Sequence, residues 1–215
     1  MKTINNKNKK TGIIVIVFVL FILLVTGLTS SCKKSTCNYT PCTVRDSINV
    51  STGLDTFGIN NAPGGIDNNW KVVSSPYPAG TPALTSTSGG PWQATPIAGT
   101  NADWINCTGL RCCTNLIGVY TFERKFTIPP GTISFSCDFG IAVDDSLVSI
   151  DLIPPTLLPI TSLTAVPSGY ALTPDISTII ASPAAGVWTI RTKVEFIDSY
   201  GGFLTSGYIK ILRPC

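Results

Sequence analysis

The chain has 215 residues, 44% of them hydrophobic, and 15 basic residues against 12 acidic ones. It has no histidine, which excludes Ser-His-Asp and Cys-His nucleophile systems, histidine-ligated zinc and a histidine general base. The positive excess is confined to the start: removing residues 1–31 deletes four lysines and no acid, leaving 11 basic against 12 acidic residues, formally −1. No basic surface of the kind that binds nucleic acid is expected.

The first segment carries Lys2, Lys7, Lys9 and Lys10, then the run Ile13 to Val25, in which no side chain has a polar atom. A basic stretch, 7–15 apolar residues and small residues before a cut site make a secretory signal. A spanning helix prefers roughly 20 apolar residues, and this run reaches 17 only when Gly12 and residues 26–28 are counted. The lysines would stay on the cytoplasmic side and send the remainder outward. Leu28-Thr29-Ser30-Ser31-Cys32 then resembles a bacterial lipobox, and the Lys33-Lys34 continuation resembles lipoproteins of Bacteroidota. The resemblance implies that Cys32 receives a diacylglycerol and becomes the new N-terminus, which places the protein in the cell envelope, held to the lipid bilayer. Thr29 departs from the aliphatic residue usual there. An uncleaved signal anchor followed by an ordinary cysteine is the alternative.

Residues 1–31 thus read as signal, 32–42 as a short tether, and 43–215 as one domain large enough for a full core. Nineteen glycines, 16 prolines, sparse charge and abundant β-branched residues favour an all-β sandwich over a helical domain. In an oxidising compartment the cysteines should pair. Cys37 and Cys42 bracket a proline-containing local loop, and Cys107 reaches Cys112 or Cys113 in the same way. A direct Cys112–Cys113 bond would be strained, since bridged Cα atoms prefer about 5.5–6 Å and neighbours stand about 3.8 Å apart. The alternative for these clusters is a four-thiolate zinc site.

The alternation in residues 43–50 is fair, and residues 51–117 are mostly turn signals around one short strand at residues 71–73. The second half is regular. Tyr120, Phe122, Phe126 and Ile128 share one parity, interrupted by Arg124, which is either a bulge or an inward charge. Ile133, Phe135, Cys137, Phe139, Ile141 and Val143 alternate with Ser134, Ser136 and Asp138. Val148, Ile150 and Leu152 share a face, as do Trp188, Ile190, Val194 and Phe196. Residues 206–213 supply the last strand.

The order of landmarks is similar to galactose-binding-like β-sandwich modules of exported bacterial proteins, including those with PEP-CTERM sorting tails. The matching residues are Thr52-Gly53, Asp67, Trp70, Ser75-Pro76, Pro91-Trp92, Trp104-Ile105, Gly118, Tyr120, Phe122, Ala142, Asp144, Asp145 and Gly201-Gly202. No PEP-CTERM tail is present, and the residues after the acidic pair depart from the family pattern. The resemblance implies a jelly-roll-like antiparallel β-sandwich and, by analogy alone, sugar binding.

Trp92 and Trp104 lie in long Gly/Pro/Asn-rich loops, where sandwich folds concentrate ligand contacts, and are the candidate stacking platforms for a glycan. Asp144 and Asp145 are the candidate oxygen ligands for a structural Ca2+, working together only in a turn. Twelve scattered acids give no sign of a paired-carboxylate glycosidase. The sequence therefore reads as a chain that is not an enzyme: a membrane-anchored binding module for a glycan or surface polymer, with a structural or assembly role toward another envelope protein as the alternative.

Overall fold

The computed structural model describes residues 42–86, 100–110, 115–157, 159–163 and 176–215, all within one compact unit, Cys42–Cys215. It has no helix among the described residues and eleven strands. These are β1 (Thr43–Asn49), β2 (Trp70–Ser74), β3 (Leu84–Thr85), β4 (Ile105–Asn106), β5 (Gly118–Ile128), β6 (Ser134–Val143), β7 (Ser146–Ile153), β8 (Thr161–Ser162), β9 (Ile176–Ala181), β10 (Gly186–Phe196) and β11 (Phe203–Pro214). A six-stranded sheet runs β3-β4-β11-β6-β9, with β1 also paired to β11, and a five-stranded sheet runs β2-β5-β10-β7-β8. Every named pairing is antiparallel. The β-sandwich expected from composition and alternation is the observed fold.

Period-two patterning explains the packing. The inward parity of β5, β6, β10 and β11 supplies Tyr120, Phe122, Phe126, Phe135, Phe139, Trp188, Phe196 and Phe203 to one core between the sheets. Rings meet edge to face or offset, as in Trp70–Phe203 at 5.1 Å and Phe135–Trp188 at 5.0 Å, geometries that suit the ring quadrupole. Each fully buried side chain of this size contributes about 1.5–3 kcal/mol.

Arg124 is resolved as an inward charge, because the β5–β10 register runs unbroken from Gly186↔Ile128 to Phe196↔Gly118. Its guanidinium donates to the carbonyls of Asn49 and Asn69, with Asp67 nearby. Val148 departs from the face it was expected to share with Ile150 and Leu152. The β10–β7 ladder shifts where Val194 pairs with Leu147 and Lys193 with Ser149, so Val148 is skipped and left exposed. The β2–β5 ladder shifts between Val72 and Ser74, and Val73 is exposed in the same way. In both, a bulge puts an extra residue into the strand and turns its side chain outward.

The cysteine pairing corrects the local expectation. Cys42 bonds Cys215, 173 positions away, not Cys37, because β1 and β11 are antiparallel neighbours whose outer ends meet there. The Cys215 N–H also donates to the Cys42 carbonyl. Gly207 shows how tightly β11 lies against β6: at φ +143°, an added Cβ would stand 2.3 Å from the Asp138 carbonyl oxygen.

Candidate functional site

The outward parity of the six-stranded sheet forms two distinct halves. In one half, Ala142 pairs with Leu204, and both are covered by Ala102 and Trp104, which form a second small core on the outside of the sheet. Trp104 is 1% exposed. The chain reaches this position through a buried hydroxyl seam. The Thr52 hydroxyl donates to the Asp103 carbonyl, the Asp103 N–H donates to the Thr52 carbonyl, and the Trp104 carbonyl accepts from the Ser86 N–H. Thr205 donates to the Val50 carbonyl, and the Thr100 and Ser206 hydroxyls are 2.6 Å apart. These partners satisfy polar groups that would otherwise be costly to bury.

The other half is open. Across the strands, Ser47 stands beside Lys210, Lys210 beside Ser136, and Ser136 beside Ile179. In the next row Arg45 stands beside Leu212, and Leu212 beside Ser134. Small serines between longer neighbours leave a trough of about 590 Å³, lined by Arg45, Ser47, Ser134, Ser136, Ile179, Lys210 and Leu212 among others. Lys210 pairs with Asp138, and Asp46, also on the lining, lies 2.7 Å from Arg213 Nε. Hydroxyl donors, charged groups and aliphatic walls can hold a molecule whose surface alternates polar and C–H patches.

The sequence-predicted residues are distributed as follows. Trp104 is corrected: its ring packs against Ala102, Ala142 and Leu204 and offers no exposed plane for a sugar. The loop's missing periodicity hid this, since the ring's partners lie on the outside of a sheet. Trp92, Cys32, Cys37, Cys112 and Cys113 lie outside the described residues. Cys107 is a free buried thiol rather than a bridged one, and burial pushes it up to about 12, against a hydrogen bond to Ser75. It is a core side chain without thiolate character. Asp144 is buried, and its N–H donates to the Gly202 carbonyl. Asp145, at φ 71°, makes the turn between β6 and β7 and accepts from the Ile197 N–H. Burial raises the Asp145 pKa, as do Asp198 and Glu195. Among the described residues no group of three or more Cys, Asp or Glu side chains is placed to hold a metal ion.

Asp67, a landmark of the resemblance, has a structural role. Its carboxylate accepts from the N–H groups of Gly53, Asn69 and Trp70 at 2.7–2.9 Å, and Trp70 Nε1 donates to the Val50 carbonyl. Desolvation raises its pKa despite these bonds and Arg124. The trough residues were not singled out from the sequence. Their signal was present in β6, where Ser134, Ser136 and Asp138 make the outward face small and polar.

No family model matches the chain, and no curated protein matches it. A solved structure with similarity to it is a Stig cyclase, Fisc from Fischerella sp. TAU, in complex with (3Z)-3-(1-methyl-2-pyrrolidinylidene)-3H-indole. The two are 13% identical, the match covers 78% of this chain and 100% of that one, and the TM-score is 0.42. That protein is named a cyclase, an enzyme, which runs against the expectation that this chain is not one. So distant a likeness assigns it no reaction.

Proposed function

We propose that the protein is an exported, lipid-anchored component of the cell envelope that binds an extended polymer, a glycan or other surface polymer, along the open half of the six-stranded sheet. The observation that carries this reading is the trough across β1, β11, β6 and β9, with serine hydroxyls on its floor and aliphatic walls. Two further features support the address. The Cys42–Cys215 disulfide suits an oxidising compartment outside the cytoplasm. The signal-like start and Cys32 supply the means of export and attachment, with each buried acyl carbon adding about 0.8 kcal/mol. Ten residues, 32–41, precede the domain, so a tether leaving Cys32 spans at most about 35 Å.

The test combines location and binding. Mature protein should partition with membranes and carry acyl groups on Cys32, and Cys32→Ser should release it. The purified protein should bind glycans on an array. An unmodified Cys32 in a soluble secreted form contradicts the attachment, and a silent array contradicts the glycan.

One observation favours a second reading, docking of another envelope protein. At the end of the sandwich opposite the disulfide, Leu116, Ile117, Ile197 and Tyr200 are exposed. Their loops are joined by the Asn115 N–H donating to the Ser199 carbonyl. Crosslinking from Ile117 and Ile197 to one specific envelope protein, with no glycan bound, would favour it.

A further inference from the structure

We propose that the ligand of the open trough is an anionic glycan, one carrying carboxylates along its chain, and that Arg45 is the residue that reads this charge. The inference rests on the trough being a glycan site and deepens that reading. Its starting point is the charge pattern around the trough. Lys210 is engaged with Asp138, and Arg213 is engaged with Asp46. Arg45 is exposed, lies on the trough wall and has no ion pair among the described residues. Of the three charged residues on the lining, Asp46 and Lys210 are each engaged with an opposite charge, which leaves Arg45 as the one without an ion pair among the described residues. The surrounding chain is formally −1 after residue 31, so the positive spot stands against a slightly acidic background.

The geometry suits a carboxylate. Arg45 lies opposite Leu212 in the β1–β11 register, with Ser47 two residues along the same face and Ser134 beyond Leu212. A guanidinium presents a planar fork that binds a carboxylate through two parallel hydrogen bonds. The serines provide donors and acceptors for sugar hydroxyls, and Leu212 and Ile179 provide apolar surface for the C–H faces of the rings. A neutral glycan would leave the guanidinium without its anion. A cationic polymer would be repelled by the guanidinium.

The test uses the full mature protein in detergent micelles, with polygalacturonate, alginate and hyaluronan as probes, each beside its carboxyl-reduced neutral form. At least one acidic polymer should bind tenfold or more tightly than its reduced form, and the preference should weaken as salt rises. Arg45→Gln should erase the preference with an unchanged melting temperature, and Arg45→Lys should keep part of it. Lys125→Ala, on the other sheet's outer face, should leave it intact. Equal binding to acidic and reduced forms would overturn the charge-reading role while leaving the glycan site standing. Binding to none of the six polymers, together with a silent neutral array, would overturn both.

Discussion

The central row of outward side chains on the five-stranded sheet reads Lys71, Glu123, Arg191, Asp151 and Ser162, charges alternating in sign from strand to strand. The corresponding row on the six-stranded sheet reads Ser47, Lys210, Ser136 and Ile179. In the first, Arg191 Nη2 lies 2.6 Å from Glu123, and Asp151 accepts from the hydroxyls of Ser149 and Ser162. On that row a ligand would have to displace the Arg191–Glu123 pair and the hydrogen bonds of Asp151. In the second, small side chains leave volume unfilled, and one cation has no partner among the described residues. The difference is between a row filled with charged side chains and a row whose small serines leave open volume.

The largest expected effect comes from the covalent closure that fixes β1, one wall of the trough, against β11. Replacing both Cys42 and Cys215 by serine reopens a 173-residue loop, which costs about 5 kcal/mol in the chain-entropy account. Thermal unfolding under oxidising conditions should show the loss, and a melting point equal to wild type would mean that pairing alone holds β1 in place.

Next is the covered half of the six-stranded sheet. Trp104→Ala should cost about 3–5 kcal/mol, a drop in Tm on the order of 10 °C. The opposite result, unchanged stability with lost ligand capture, would return Trp104 to the role of a contact residue and erase the division between a plugged half and an open one.

The charged face should respond far less. Glu123→Gln removes one member of a partly exposed pair and should cost about 1 kcal/mol or less, measured by urea unfolding, with the effect shrinking at high salt. A loss of several kcal/mol would show that this face, too, depends on specific buried interactions.

The smallest effect is a pH dependence at the plugged end. Desolvation raises the Asp103 pKa above 3.8, only partly offset by a hydrogen bond from Asn60. The folded state therefore holds this proton more tightly than the unfolded one, and the wild type gains stability as pH falls from above the folded pKa to below 3.8. Asp103→Asn should be slightly more stable than wild type at neutral pH. The difference should vanish below the unfolded value, and a difference that grows on acidification would reverse the sign.

What the sequence reveals follows the same division. The long strands β5, β6, β10 and β11 were legible because aromatic and aliphatic residues recur at every second position. Val148 was misplaced because a bulge depends on the partner strand and leaves no mark in the strand's own pattern. The Cys42 partner was unreadable for a similar reason: local spacing pointed to Cys37, while the bond follows from β1 and β11 being neighbours 173 residues apart. Trp104 looked like an exposed loop ring because its cover is the outside of a sheet, formed by Ala142 and Leu204. Arg45 and Ser136 drew no attention singly, since each is an ordinary outward residue until the register sets the two on one trough.

The most direct test is a pair of space-filling substitutions, one on each outer face. Ser136→Trp fills the floor of the trough, and Lys193→Trp places the same ring among the outward residues of β10, beside Thr121 and Ser149. Capture of the proposed glycan ligand by the two purified variants is then compared at equal folded concentration. The account predicts that Ser136→Trp abolishes capture while Lys193→Trp retains it. Capture that survives in Ser136→Trp, or is lost only in Lys193→Trp, would contradict it.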